Sequence, residues 1–322
     1  MFRELSMNAT RRPPTWQILL AYGAIYFIWG STFLAIRVGV REVPPFLFAG
    51  MRILLAGIIL YAWMRAKKTP SPTCQEWVSA AVVGLLIFVF DYGLLFWAET
   101  RVPSGIAAVM MATIPVFMAL SEIAFLGTQR LTLRLAFALL VGTGGVAVLV
   151  SRSLGLSEAP INTAGAIALV IAAVSWSLAA VLMRKLPLPA AKPMSSAAQM
   201  LAGGVFLFIT AGALGEFRWF HPQSVSRGAW MALAYLIVAG SIVAFTAYVW
   251  LLHYESPTRV GTYAYVNPIV AVAIGYFLGG ETVGSRTLLG TLLVLVSVIV
   301  ITTTPARKPA TSWVKDAPQT VE

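Results

Sequence analysis

The sequence is poor in charged residues and nearly free of cysteine. Only 11% of its 322 residues are charged, whereas 59% are hydrophobic. That leaves too few polar groups to cover the surface of a soluble protein of this length, so lipid is the expected solvent. The single cysteine, Cys74, excludes an intramolecular disulfide. Packing between helices must therefore hold the fold together.

Residues that usually carry catalysis or bind metals are also scarce. The two histidines, His221 and His253, form no metal-binding pattern, and the sequence contains no HExxH, cysteine pair, phosphate loop or Gly-x-Ser-x-Gly motif. We therefore predict no enzymatic activity, no cofactor and no metal. The net charge of +11 comes from Lys and Arg in short segments between apolar runs. Because these residues form no basic stripe, nucleic-acid binding is not expected.

Apolar stretches of about 20 residues recur along the chain, each long enough to cross a bilayer core of about 30 Å. These stretches cover residues 17–37, 45–64, 77–98, 103–125, 131–150, 163–183, 195–214, 228–252, 258–280 and 285–303. They predict an all-α polytopic membrane protein with ten transmembrane helices. The polar ends, residues 1–16 and 304–322, are expected to be tails.

The distribution of Lys and Arg predicts the orientation. With the N-terminus inside, the cytoplasmic segments hold 15 of the 23 Lys and Arg residues and the opposite segments hold 7, the remaining one being Arg52 inside the second span. Positive residues are retained on the cytoplasmic side during insertion. Both termini, and Cys74, are therefore predicted to lie on the cytoplasmic side of an inner membrane.

The chain contains an internal repeat. Trp77, Trp97 and Pro115 recur as Trp230, Trp250 and Pro268 at a constant offset of 153 residues. The repeat unit, residues 17–150 and then 151–303, contains five predicted spans. Because five is odd, the second unit enters the membrane from the opposite side. Two inverted five-helix repeats favour a transporter that works by alternating access over a membrane scaffold.

Four motifs resemble the EamA-type family of the drug/metabolite transporter superfamily. They are IWGSTFLAIRVG (residues 28–39), VPSGIAAV (102–109), YAYVNPIVAV (263–272) and LGGET (278–282). The resemblance implies a ten-helix exporter of amino acids, related metabolites or cationic drugs, with a central cavity between the halves. The family pattern expects a glutamate in a GERLT-like segment after the fourth helix, but the first half has GTQRLT there. Any role of the family's glutamate is therefore carried over only to Glu281 in the second half.

Two prolines in the middle of predicted spans mark a candidate substrate path. Pro115 and Pro268 would each free the carbonyl four residues earlier, at Met111 and Ala264. Polar backbone at that depth is tolerated where it lines a cavity. A kink that only shapes packing is an equally open interpretation.

Aromatic and polar residues near these positions extend the path. Trp29 and Trp176 occupy corresponding helices of the two halves, and Ser31 lies next to the first of them. Further residues of the path come from the YAYVNP motif. These are Tyr263, Tyr265 and Asn267.

Arg52 and Asp91 are charged residues deep in predicted spans two and three. Such charges rarely face lipid, so we predict that the two form a close pair on adjacent helices. The pair could be structural, or Asp91 could couple transport to protons. Glu122 is the rival proton site, although its position near the cytoplasmic end would let it reach water.

The predicted function is secondary transport that exports small metabolites such as amino acids. Efflux of drugs or quaternary amines is the alternative within this class. A channel or a non-transport scaffold is the alternative outside it. The bilayer and a small-molecule substrate are the expected partners, and the sequence leaves the substrate, proton coupling and oligomeric state open.

Overall fold

A computed structural model describes residues 13–102, 107, 110–150, 162–279 and 285–304. In this part of the chain the regular structure is helical and contains no β-strand. Glu281 lies outside the described residues.

The helices are numbered here in chain order. The first repeat contains α1 (Thr15–Val40), α2 (Pro45–Ala66), α3 (Cys74–Glu99), α4 (Ile114–Leu126) and α5 (Leu133–Val150). The second contains α6 (Thr163–Lys185), α7 (Lys192–Ala213), α8 (Arg227–Tyr254), α9 (Tyr263–Gly279) and α10 (Ser285–Thr303). The short helix Pro257–Val260 precedes α9.

Six of these helices, α1, α2, α3, α6, α7 and α8, are long and apolar enough to cross a membrane. The apolar helical segments within α4 (Ile114–Leu126), α5 (Leu133–Val148) and α10 (Leu288–Thr303) are shorter. Each predicted span overlaps a helix of the described chain. The total of ten spans stays a prediction, because within the described residues six helices meet both the length and the hydropathy expected of a membrane-spanning helix.

The packing of the helices reflects the sequence repeat. In the first half, α1 packs against α8 and α9 of the second, and its counterpart α6 packs against α3 and α4 of the first. Of the four helices that remain, α2 packs against its counterpart α7, and α5 packs against its counterpart α10. Each half therefore completes the other, and most of the large hydrophobic core lies at their junction.

Glycines bring α2 and α3 close to the backbone of α7. A Cβ added to Gly57 would lie 2.9 Å from Leu201 N, and one added to Gly84 would lie 2.7 Å from Gln199 O. In the other direction, a Cβ on Gly204 would lie 2.8 Å from Leu54 Cα. Small residues at such positions let membrane helices approach closely. We call this contact between α2, α3 and α7 the glycine seam.

Both α3 and α8 change to π-helical geometry in their middle. The π-helical segments are Leu85–Gly93 in α3 and Leu236–Phe245 in α8, which correspond within the 153-residue repeat. A π-helical turn accommodates an extra residue and is frequent at functional sites. The irregularity is therefore a feature of both repeats.

The first turns of α3 and α8 are capped differently. In α3, Thr73 accepts a hydrogen bond from Glu76 N while Glu76 Oε2 accepts one from Thr73 N, so the cap is local. In α8, Ser226 caps the helix, but its backbone N–H donates across the molecule to Glu42 Oε2 at 2.6 Å. The start of α8 is thus attached to the segment that follows α1.

The two repeat prolines do not have the same structural role. Pro268 lies inside α9, as predicted for a mid-helix proline. Pro115 instead lies in the first turn of α4, after a turn at Ala112 and Thr113. The prediction that Pro115 interrupts a continuous helix is wrong, because the chain has already turned before it.

Candidate functional site

A central cavity lies between the two halves and holds about 610 Å³ of empty space, counting its open side. Helices α1, α2, α3, α6 and α9 contribute to its wall, together with Met111 and the first residue of α4. Nine residues of the predicted path and charge pair line it. They are Trp29, Arg52, Asp91, Met111, Trp176, Tyr263, Ala264, Asn267 and Pro268.

Aromatic rings form one wall of the cavity. The centroid of Trp29 lies 5.5 Å from that of Trp176 and 4.7 Å from that of Tyr263, both in edge-to-face orientation. Trp176 also stacks on Tyr92 at 5.8 Å, with the planes 5° apart. The Trp29 indole donates to Gly240 O at 3.0 Å, which fixes the ring. Such a wall suits an apolar group or a cation.

Arg52 brings a positive charge to this cavity although its side chain is only 1% exposed. Its Nε donates to Ser241 Oγ at 2.9 Å, and its guanidinium carbon lies 4.9 Å from the centroid of the Tyr92 ring. The side chain is therefore held by the π-helical segment of α8 and by an aromatic ring of α3. Its Nη2 lies beside Gly240, where an added Cβ would stand 2.9 Å from it.

Asp91 brings a carboxyl group to the same cavity from the π-helical segment of α3. Its side chain is 2% exposed, and within the described chain its Oδ1 has no hydrogen-bond partner. The predicted close pair with Arg52 is not formed, because Ser241 and Tyr92 hold the guanidinium elsewhere. A buried carboxylate oxygen without a partner is costly. It is therefore a candidate ligand contact.

Asn267 lines the cavity and also connects two helices. With its amide nitrogen facing the nearby carbonyls, it donates to Tyr26 O at 3.2 Å and to Tyr263 O at 3.0 Å. This orientation joins α9 to α1. Asn267 therefore has a packing role in addition to its position in the cavity wall.

The remaining residues of the predicted path lie elsewhere. Ser31 is hydrogen-bonded to Ile28 O and Tyr235 Oη. Tyr265 donates to Leu139 O at 3.0 Å within a smaller core between α5 and α10. Pro115 is buried at the start of α4. The structure does not bring these three to the cavity, since their helix faces point toward neighbouring helices.

Several cavity residues were missed by reasoning from the sequence. They are Thr32, Phe33, Ile36, Tyr92, Leu95, Phe96 and Ile114. A helical signal for some of them existed, because Thr32, Phe33 and Ile36 follow Trp29 at spacings of three, four and seven residues. Ser241, which holds Arg52, had no sequence signal.

Glu122 is buried and bonded rather than exposed to water. Its Oε2 accepts hydrogen bonds from Thr258 N at 3.1 Å and Thr258 Oγ1 at 2.7 Å. Thr128 donates to its other oxygen at 2.8 Å. The prediction that Glu122 reaches water is wrong, because the first turn of Pro257–Val260 covers it. Glu122 thus connects the two halves.

Comparison with known proteins identifies the family. The model of the EamA-like transporter family matches residues 15–151 and again 163–303. The chain belongs to the EamA-like transporter family. The two matches correspond to the two repeats found by self-comparison, so the EamA-like chain is a two-repeat membrane transporter.

Similar proteins agree with this assignment. The chain is 37% identical to the "Uncharacterized inner membrane transporter YedA" of Escherichia coli (strain K12), over 89% of this chain and 92% of that one. It is 24% identical to "Protein PagO" of Salmonella typhimurium, over 93% and 97% respectively. One solved crystal structure shares the fold with a TM-score of 0.70 at 21% identity, covering 89% of this chain and 98% of the other.

Proposed function

We propose that this EamA-like protein is an inner-membrane carrier that exports zwitterionic metabolites, in the first place apolar amino acids. The observation that carries this proposal is the placement of Arg52 and Asp91 in one aromatic cavity without a bond between them. One cationic and one anionic group then remain for a ligand that has both charges.

The two charged groups differ in what they offer. The Arg52 guanidinium recognises a carboxylate, and its bond to Ser241 fixes its direction before the ligand arrives. Asp91 Oδ1 accepts from an ammonium group. The rings of Trp29, Trp176 and Tyr263 cover the apolar remainder of the ligand.

Efflux of a permanent cation is the second candidate, since aromatic rings and Asp91 favour a cation. Arg52 argues against it. A guanidinium in a poorly solvated cavity repels a second positive charge unless a carboxylate accompanies it. A ligand with both charges satisfies both residues at once.

Alternating access is supported by contacts between the halves at opposite ends of the molecule. Glu42 and Ser226 join them at the end predicted to be external, and Glu122 and Thr258 join them at the end predicted to be cytoplasmic. In a carrier, each contact would break in turn while the other holds. Asp91 is the carboxyl group through which protons would couple to export.

Ligand binding tests the charge requirement directly. Purified protein should be stabilised against heat by phenylalanine, and much less by phenethylamine or 3-phenylpropionate at equal concentration, because each of the latter leaves one protein charge unmatched. Arg52→Gln should reduce the discrimination against the amine, and Asp91→Asn the discrimination against the acid. Arg130→Gln removes an exposed charge outside the cavity and serves as the control.

Transport in vesicles tests the carrier mechanism. Vesicles preloaded with unlabelled phenylalanine should accumulate labelled phenylalanine transiently, since a carrier exchanges ligand across the membrane whereas a channel only equilibrates it. Equal stabilisation by the amino acid, the amine and the acid would contradict the zwitterion proposal. Single-channel currents from the reconstituted protein would contradict the carrier mechanism and indicate a channel.

A further inference from the structure

A second, more polar cavity lies between the end of α6, the start of α7 and the end of α8, away from the central one. It contains about 830 Å³ of empty space, counting its open side. This end of the bundle is the one predicted to face the cytoplasm. Transport through the central cavity uses none of its lining residues.

The polar side chains of this cavity are predominantly basic. Arg184 comes from α6, Lys192 from α7 and His253 from α8, and none of the described lining residues is acidic. The nearby carboxylate of Glu255 is bonded to Arg259 Nη1 at 3.2 Å. Arg184 Nη1 donates to the backbone carbonyl of Glu255 at 3.0 Å, which orients the guanidinium without neutralising it. Positive charge is therefore concentrated here.

Ser195 adds a buried hydroxyl to the wall. It is 1% exposed, and its Oγ accepts a hydrogen bond from Gln199 Nε2 at 3.0 Å. Its own hydroxyl hydrogen has no acceptor among the described residues. A buried hydroxyl that has already accepted a bond is left to donate one, and a ligand with acceptor oxygens would satisfy it.

The first turn of α7 adds further donors. Ala191 precedes the helix and provides no side-chain cap, so the Lys192 and Met194 backbone N–H groups have no capping side chain. Pro193, between them, has no N–H. The positive end of a 22-residue helix therefore lies beside the basic side chains.

We propose that this cavity, lined by Arg184, Lys192, Ser195 and His253, binds a phosphate group. Phosphate has several acceptor oxygens and a negative charge, which match a guanidinium, an ammonium and a buried hydroxyl arranged around one space. The phosphate could belong to an anionic phospholipid headgroup, because the cavity lies at helix ends near the interface, or it could be free in the cytoplasm.

Thermal unfolding of the full-length protein distinguishes these sources. The probes are inorganic phosphate, micelles doped with phosphatidylglycerol and micelles doped with phosphatidylcholine, at constant ionic strength. Stabilisation by phosphatidylglycerol alone identifies a lipid site, and stabilisation by inorganic phosphate as well identifies a site open to soluble phosphate. Both results support the proposal, provided that they depend on the basic residues.

Substitutions of the basic residues test whether the stabilisation depends on them. Arg184→Gln with Lys192→Gln should weaken the apparent affinity for the stabilising probe about tenfold or more, since two opposite charges are lost near the ligand. Lys192→Gln with His253→Asn leaves the Arg184 bond to Glu255 intact and should show a smaller loss, because it removes one charge and one imidazole hydrogen-bonding group. Lys185→Gln with Arg130→Gln removes two charges outside the cavity and should leave the affinity unchanged. Absence of stabilisation by either phosphate probe, or equal stabilisation of all variants, would overturn the proposal.

Discussion

Helices α3 and α8 occupy equivalent places in the two repeats, yet they serve the central cavity differently. The π-helical segment of α3 presents Asp91 to the cavity. That of α8 supports the opposite charge, because Ser241 holds Arg52 and Gly240 O holds the Trp29 indole. Duplication kept the backbone irregularity and divided the roles. One copy supplies a ligand-facing group and the other orients ligand-facing groups from the first half.

The largest expected effect is at Asp91. Replacing it by Asn should lower transport of the zwitterionic ligand about 100-fold, because a desolvated ammonium loses its charged acceptor. Asp91→Glu keeps the charge and should retain part of the activity. Initial rates in proteoliposomes, normalised to protein content, measure both. Full transport by Asp91→Asn would mean that the acidic role of α3 is incorrect.

The second effect is at Ser241, the residue of α8 that orients Arg52. Ser241→Ala leaves the buried Arg52 Nε without its acceptor and should raise the KM for the zwitterion about tenfold, in line with a hydrogen bond to a charged group. Ser241→Thr retains a hydroxyl and should restore much of the affinity. A changed protein abundance with an unchanged KM would instead indicate a purely structural role.

The third effect concerns packing, which differs between the π-helical segments of α3 and α8. Gly84 precedes the π-helical segment of α3 and belongs to the glycine seam, whereas Ile237 occupies the corresponding position in α8. Gly84→Ala should lower the free energy of unfolding by about 1–3 kcal/mol, because the new methyl group overpacks against α7 backbone. Gly23→Ala, with nothing within 4 Å of its Cβ, is the matched control. Equal unfolding midpoints for the two variants would contradict the close packing of α3 against α7 at the glycine seam.

The smallest effect concerns the cap of α8. Hydrogen bonds from the backbone N–H and the hydroxyl of Ser226 hold the pKa of Glu42 below its ordinary value of 4.5. A lowered pKa stabilises the folded state above pH 4.5, and this contribution disappears as the pH falls through the folded-state pKa. Glu42→Gln should therefore be less stable than the original protein at pH 7 but similar to it in stronger acid.

Unfolding midpoints measured over a pH series test this difference. Glu76, in the local cap of α3, offers a second Glu→Gln substitution for comparison. The Glu76→Gln variant perturbs a cap within one repeat, whereas Glu42→Gln releases a contact between repeats. A difference between Glu42→Gln and the original protein that stays constant down to strong acid would contradict the assignment.

Much of the fold was predictable because bilayer thickness imposes a length on each apolar stretch. The spans overlap the observed helices, and the repeat spacing anticipated the matching positions of α3 and α8. The depth of Arg52 and Asp91 indicated that their side chains avoid lipid, and both line the central cavity, but the close pair predicted from that depth is not formed. Such inferences depend on properties of single helices or on distances along the chain.

The details of the site were less predictable because they depend on contacts between distant segments. Arg52 could not be matched to Ser241, since the two residues lie 189 positions apart and nothing in the sequence indicates their contact. Tyr263 and Tyr265 look equivalent in YAYVNP, yet they face the cavity and the α5–α10 core respectively. Helical geometry separates residues two apart by about 200°, so only the packing of α9 decides which tyrosine meets a ligand.

The glycine seam also has a consequence for the order of assembly during synthesis. Its partners belong to different repeats, so α2 and α3 enter the bilayer before α7 has left the ribosome. Until then their glycine-lined faces remain open to lipid or to other helices. The first repeat is thus an incomplete folding unit, and translation pausing before α7 should prolong its sensitivity to membrane proteases and its dependence on insertion chaperones.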